Sequence, residues 1–211
     1  MKAVVFDIDG TLTPQISWLT ITEKLQASVD KHDFIYKEFK KNKILYKKAK
    51  EKLINLWRET GKANKDFFTK IFKEMPLKKE AKEIIDYFKL KGILVCLITG
   101  SVDLYAEIIA NRLNVKNYYS NTQLIWDKKG ELIDFNYDRN QGEKKLKQFK
   151  DFCLRYDLNH KDILIVGDDE NDINLFKYTN HGIAVKSPSS HKLEQYAWKT
   201  VVNLSELKKL V

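Results

Sequence analysis

The chain has 211 residues, 43% of them hydrophobic and 12% aromatic, enough to bury a full core in one domain of ordinary size or one carrying a small insert. Charged residues make up 32%, and the longest uninterrupted apolar run, residues 93–98, falls far short of the roughly 20 residues of a spanning helix, which argues against a membrane protein. The net charge of +9 invites a nucleic-acid reading, but only four of the 38 basic residues are arginines: Arg58, Arg112, Arg139 and Arg155. The lysines are spread along helical stretches beside acids, as in residues 47–52, which reads as solvated helix faces, so a nucleic-acid partner is not expected.

The N-terminus shows no secretory signal, since its short apolar stretch runs directly into Asp7 and Asp9. Cys96 and Cys153 sit in apolar patterns and read as core residues, not a disulfide framework. The expected location is cytoplasmic, and the sequence carries no signal for an oligomeric state.

Residues 2–6 form a short β-rich apolar run, read as a buried strand. From about residue 16 to residue 75 the pattern is helical, with stripes at Leu53, Leu56 and Trp57, then at Phe67, Phe68, Ile71 and Phe72. Gly61 and Pro76 are the natural breaks. A helix over about 79–91 then ends at Gly92, a strand follows at 93–98, and a helix at about 102–113. After Tyr118 and Tyr119 a hairpin is expected from 123–126 and 132–135, turning at Lys129-Gly130. A helix over about 142–156, a strand at 163–166, and short strands at 182–185 and 200–202 complete the chain. Alternating fully apolar strands and helices imply an α/β fold: a Rossmann-like parallel sheet with helices on both faces. A small helical cap of residues 14–76 would be inserted after the first strand, leaving residues 1–13 and 77–211 as the core.

In such a sheet reactive groups collect at the carboxyl ends of the strands. Three of these ends are chemically loaded: Asp7-Ile8-Asp9-Gly10-Thr11, Thr99-Gly100-Ser101, and Gly167-Asp168-Asp169-Glu170-Asn171-Asp172. Asp7 and Asp9 are two apart and leave an extended backbone on one side. Carboxylates after buried strands are costly unless something binds them, and a cluster of them with open positions suits Mg²⁺. A hydroxyl and backbone N–H groups at a helix N-terminus, as at Thr99-Gly100-Ser101, make an anion site. Beside a carboxylate–metal cluster, that site becomes a phosphate cradle.

These motifs in this order resemble the haloacid dehalogenase-like superfamily of phosphohydrolases, and the helical insert resembles the cap of its phosphoserine phosphatase-like subgroup. The resemblance implies a Mg²⁺-dependent phosphomonoester hydrolase acting on a small phosphorylated metabolite, with phosphoserine a candidate. Asp7 would attack phosphorus to form an aspartyl-phosphate, and Asp9 would serve as general acid and then base. Mg²⁺ would be held by the Asp7 carboxylate, the Asp9 backbone carbonyl and Asp168, supported by Asp172 and Asn171, with Thr99 and Gly100 binding phosphate.

Two departures stand out. The subgroup places a Lys directly before the Gly-Glu that starts the helix over about 142–156, where this chain has Gln141. Lys145 lies about 40° and Lys144 about 60° from the direction of Gln141 around that helix, so either amine could reach back; the apolar stripe favours Lys145. The stretch after the first motif, residues 14–18, also lacks an acid to hold an amino group. Arg58, the one arginine of the insert, is the candidate for a substrate carboxylate, and Trp18 for shaping the pocket. The rival readings are a nucleotide or nucleic-acid-end phosphatase and a catalytically weakened binding protein that lost turnover through Gln141.

Overall fold

The computed structural model describes residues 1–210. Strand β1 (Ala3–Phe6) is a run of four apolar residues, all buried, and it forms the middle of a seven-stranded sheet. It pairs in parallel with β2 (Leu94–Val102) on one side and β5 (Ile163–Gly167) on the other. β3 (Asn117–Trp126) and β4 (Leu132–Tyr137) extend the sheet beyond β2, while β6 (Gly182–Val185) and β7 (Lys199–Val201) extend it beyond β5. All neighbours are parallel except β3 and β4, which are joined by a hairpin.

The period of two along β1 sorts its side chains to opposite faces. Val4 and Phe6 belong to the larger hydrophobic cluster, against helices α5 (Ala81–Leu90) and α6 (Asp103–Arg112). Ala3 and Val5 belong to the smaller one, against α7 (Gln141–Arg155) and α8 (Ile173–Thr179). The sheet is therefore an α/β sandwich of the Rossmann-like kind. A short helix, α9 (His191–Glu194), precedes β7.

Between β1 and α5 the chain forms four helices: α1 (Ser17–Lys24), α2 (Val29–Lys40), α3 (Tyr46–Arg58) and α4 (Lys65–Glu74). Ser28 and Asn64 cap α2 and α4, their side chains accepting from the backbone N–H groups of Lys31 and Phe67. Trp57, Phe68 and Phe72 are fully buried and continuous with the larger cluster of the sheet. No helix among the described residues is long and apolar enough to cross a membrane.

Two elements differ from the sequence expectation in ways that matter for the site. β2 does not stop at Ile98; it continues beside β3 through an irregularity between Thr99 and Val102. Thr99-Gly100-Ser101 is thus strand-end backbone, and α6 opens only at Asp103. β3 begins at Asn117 and includes Tyr118 and Tyr119, so the hairpin has a long arm lying along β2.

Candidate active site

The carboxyl ends of β1, β2 and β5 open into one cleft of about 1040 Å³, lined by Asp7, Asp9, Thr99, Gly100, Ser101 and Asp168 and roofed by α1, α2 and α3. Burial of acids at this sheet end is extreme. Asp7, Asp168 and Asp172 are each no more than 5% exposed, and each offers an oxygen within 4.8 Å of the others. Asp172 comes from the turn just before α8, which brings it back to the end of β5.

One cation answers them. Lys145, fully buried on α7, donates to Asp7 Oδ1 at 2.9 Å, Asp172 Oδ1 at 2.7 Å and Asn171 Oδ1 at 2.7 Å. Burial works against its charge, but Asp172 and Asp7 more than offset this and hold its pKa above the ordinary lysine range. Lys144 is partly buried, does not line the cleft and makes no side-chain hydrogen bond among the described residues. The Gln141 side chain is occupied elsewhere: Oε1 accepts from Asn121 Nδ2 at 2.7 Å and Nε2 donates to the Asp138 carbonyl at 2.5 Å.

The loop after β1 is shaped around Asp168. Gly10 has φ +71°, and a Cβ there would collide with the Asp168 carboxylate. Thr11 Oγ1 donates to Asp168 Oδ1 at 3.2 Å and Ser189 Oγ to its Oδ2 at 3.2 Å. Lys78 donates from Nζ to the Gly10 carbonyl and from its backbone to that of Leu12, tying the loop down.

Asp9 is held differently from Asp7. Its Oδ2 accepts from Ser17 Oγ at 2.6 Å and Ser17 N at 3.1 Å, while Oδ1 is buried without a partner. Burial pushes the Asp9 carboxyl up to about 7; the Ser17 hydroxyl pulls against this and the Asp7 charge adds to it. Ser17 in turn touches Ser101 Oγ. Thr99 is fully buried, and its Oγ1 accepts from the Ser101 N–H at 3.1 Å. The Gly100 backbone passes close to Gln141 Oε1, which would lie 2.9 Å from a Cβ at that position.

The donor set fits a hard divalent cation. Three buried carboxylates face one ammonium, and Asp172 Oδ2 has no partner. Burial, with Asp7 nearby, pushes Asp168 up to about 6; burial pushes Asp172 up to about 8 against the pull of Lys145. Oxygen donors with surplus negative charge are what Mg²⁺ binds. The Asp9 side chain is outside this group of three, being turned to Ser17.

Of the other expected residues, Trp18 lines the cleft and stacks on Trp57, with ring centroids 5.8 Å apart. Arg58 does neither: it is exposed at the end of α3 and is not among the lining residues, because Trp57 occupies the inward direction there. Ser17, Lys78 and Ser189 also hold the site, as does Ser187, whose Oγ donates to the Asp168 carbonyl at 3.4 Å, and the sequence offered no motif for them. Ser and Lys are common in loops, and these reach the site only through tertiary folding.

Comparison with known proteins gives a consistent picture. A family model described as haloacid dehalogenase-like hydrolase matches residues 1–178. The chain is 26% identical over 193 residues to a phosphoserine phosphatase of Methanocaldococcus jannaschii, covering 87% of this chain and 84% of that protein. Among solved structures, it resembles a phospho-aspartyl intermediate analogue of phosphoserine phosphatase, with TM-score 0.77 and 23% identity over 100% of this chain and 98% of that one. A substrate-bound phosphoserine phosphatase complex gives TM-score 0.78 and 22% identity, with coverage of 100% and 98%. At that identity the two structures speak for the fold.

Proposed function

The chain belongs to the haloacid dehalogenase-like hydrolases, and from that premise we propose that it is a phosphomonoesterase working through an aspartyl-phosphate on Asp7. The observation that carries this reading is the division of labour between two carboxylates on one strand end: Asp7 is pinned by buried Lys145, and Asp9 is gripped by Ser17 with one oxygen free. With Asp7 Oδ1 held by Lys145, Oδ2 attacks phosphorus and the ester P–O bond breaks. Asp9 gives its proton to the departing alkoxide oxygen. Asp9 then takes a proton from water, whose oxygen attacks the aspartyl-phosphate; inorganic phosphate leaves and Asp7 is restored.

Lys145, Thr99 and the backbone at Gly100 bind the transferring phosphoryl oxygens. Asp7, Asp168 and Asp172, with the Asp9 backbone carbonyl, would hold Mg²⁺. That ion supplies neutralisation of phosphoryl charge when bound. In this reading Lys145 makes good the cation missing at Gln141, which favours an active phosphatase over a weakened binding protein. Residues 14–76 act as a cap over a core of residues 1–13 and 77–211. Lys40 of the cap reaches Glu170 of the core at 3.6 Å. The substrate is a small phosphorylated metabolite, with O-phospho-L-serine the reference compound because the named relatives are phosphoserine phosphatases.

The test is release of inorganic phosphate from O-phospho-L-serine and from p-nitrophenyl phosphate, with Mg²⁺ or with chelator. Wild type should turn over with Mg²⁺ alone, and folded Asp7→Asn should lose at least ~10³-fold. Turnover that survives in Asp7→Asn would overturn the covalent route, and silence across a panel of metabolite esters would overturn the phosphatase reading.

A further inference from the structure

The roof of the cleft carries more aromatic surface than a small amino-alcohol ester needs. Ile16 and Trp18, which flank the Ser17 that grips Asp9, line the cleft together with Leu19. Trp18 leads outward to Tyr137, whose ring lies 6.1 Å away, and Tyr137 continues to Phe39 at 6.5 Å and Tyr46 at 6.2 Å. Tyr36 lines the same cleft and is 46% exposed. These five residues come from α1, α2, α3 and β4, so separate parts of the fold deliver rings to one surface.

Packing alone explains the buried rings below them, Trp57, Phe68 and Phe72, which are fully enclosed. It does not explain rings left open to a cleft, since apolar surface in a concave site gains by being covered. The charges around them narrow what covers them. Lys40 Nζ lies 5.9 Å from the Tyr36 ring centroid, Lys50 Nζ 5.7 Å from that of Tyr46, and the Arg139 guanidinium 5.8 Å from that of Phe39. Lys40 is paired with Glu170 at 3.6 Å and Lys50 with Asp134 at 2.7 Å, so among the described residues Arg139, over Phe39, is the one of these three cations without an acidic partner, and an ammonium-bearing ligand meets like charge there. A planar ring stacks on such a surface, and an acidic group on that ring would meet Arg139.

We propose that the alcohol released from phosphate by this protein carries a planar aromatic or heteroaromatic ring, which lies against Tyr36, Phe39 and Tyr137. The proposal rests on the phosphatase reading and narrows it. Nucleoside 5′-monophosphates and pyridoxal 5′-phosphate share this chemistry and serve as separate probes.

The experiment measures kcat/KM with Mg²⁺ for both kinds of ring ester, for O-phospho-L-serine and for glycerol phosphate, in wild type, Tyr36→Leu and Tyr137→Leu. A ring ester should exceed O-phospho-L-serine by about tenfold or more. That ratio should fall about fivefold or more in each variant, the range expected for loss of one stacking face. Damage to the fold would lower all esters together and leave the ratio in place, and Tyr36, at the surface, can be replaced without disturbing the core. A preference for O-phospho-L-serine, or a ratio unmoved by either substitution, would overturn the proposal while leaving the phosphatase reading intact. Failure to hydrolyse any ester would remove both.

Discussion

Lys145→Met is the substitution that probes the centre of the site most directly. Methionine keeps the apolar stem, one heavy atom shorter, and removes the charge. What is lost is a fully buried ammonium making three hydrogen bonds of 2.7–2.9 Å, two of them to carboxylates. What remains is Asp7, Asp168 and Asp172 within 4.8 Å of one another and no cation among them. Removing one partner of a buried ion pair costs about 3–5 kcal/mol. For a domain of this size each kcal/mol moves Tm by roughly 2–4 °C, so the metal-free variant should melt at least ~6 °C below wild type. Mg²⁺ should recover part of that loss, since the same carboxylates would bind it. Phosphate release should fall ~10²–10³-fold, the usual effect of deleting one group that stabilises transition-state charge. Lys144→Met, one residue away and outside the cleft, should change either readout little. A Lys145→Met protein with more than about a third of wild-type turnover, or a Lys144→Met protein as impaired, would refute the assignment of the site's cation to Lys145.

Two further expectations concern helices α2 and α3. Arg58→Ala should leave kcat/KM within about twofold for esters with and without a carboxylate, and stability within ~0.5 kcal/mol, because Arg58 is exposed and away from the cleft; a selective loss on carboxylate-bearing esters would return it to the site. His32 is 5% exposed, its Nδ1 lies 2.6 Å from Thr22 Oγ1, and Trp57 Nε1 donates to the same oxygen at 2.8 Å. Burial lowers its pKa to about 4, against the pull of Asp33, so between about 6.5 and 4 the unfolded chain binds a proton that the folded one refuses. This contribution is complete above pH 6.5 and lost as pH falls toward 4, up to ~3 kcal/mol. Urea unfolding of wild type and His32→Asn at pH 7, 6 and 5 should show wild type losing stability faster on acidification, and parallel curves would contradict it.

The strand ends were readable in the sequence because each is a local signal: a fully apolar run stops and a carboxylate follows at once. β1 with Asp7, and β5 with Asp168, therefore stand in the fold where composition and spacing placed them. The extension of β2 past Thr99-Gly100-Ser101 was not readable, because glycine and serine break a strand pattern and the pairing that keeps them extended comes from β3, a distant segment. Arg58 misled for a related reason. On a helix with Leu53, Ile54 and Trp57 buried, position 58 is turned outward, and the rarity of arginine in the insert said nothing about direction.

Lys145 shows how far a helical wheel can carry an argument and where tertiary structure takes over. The angle alone left two lysines open. What separates them is the partner on the other side: α7 packs against α8 and the turn before it, so Asn171 and Asp172 face Lys145 and give its ammonium acceptors besides Asp7. A lysine at position 141 would project from the first turn of α7, where the present glutamine reaches Asn121 and the Asp138 carbonyl. Moving the charge one turn along α7 thus does two things together. It keeps an ammonium on Asp7, and it leaves the place beside Gly100 to a neutral amide that bonds Asn121 of β3.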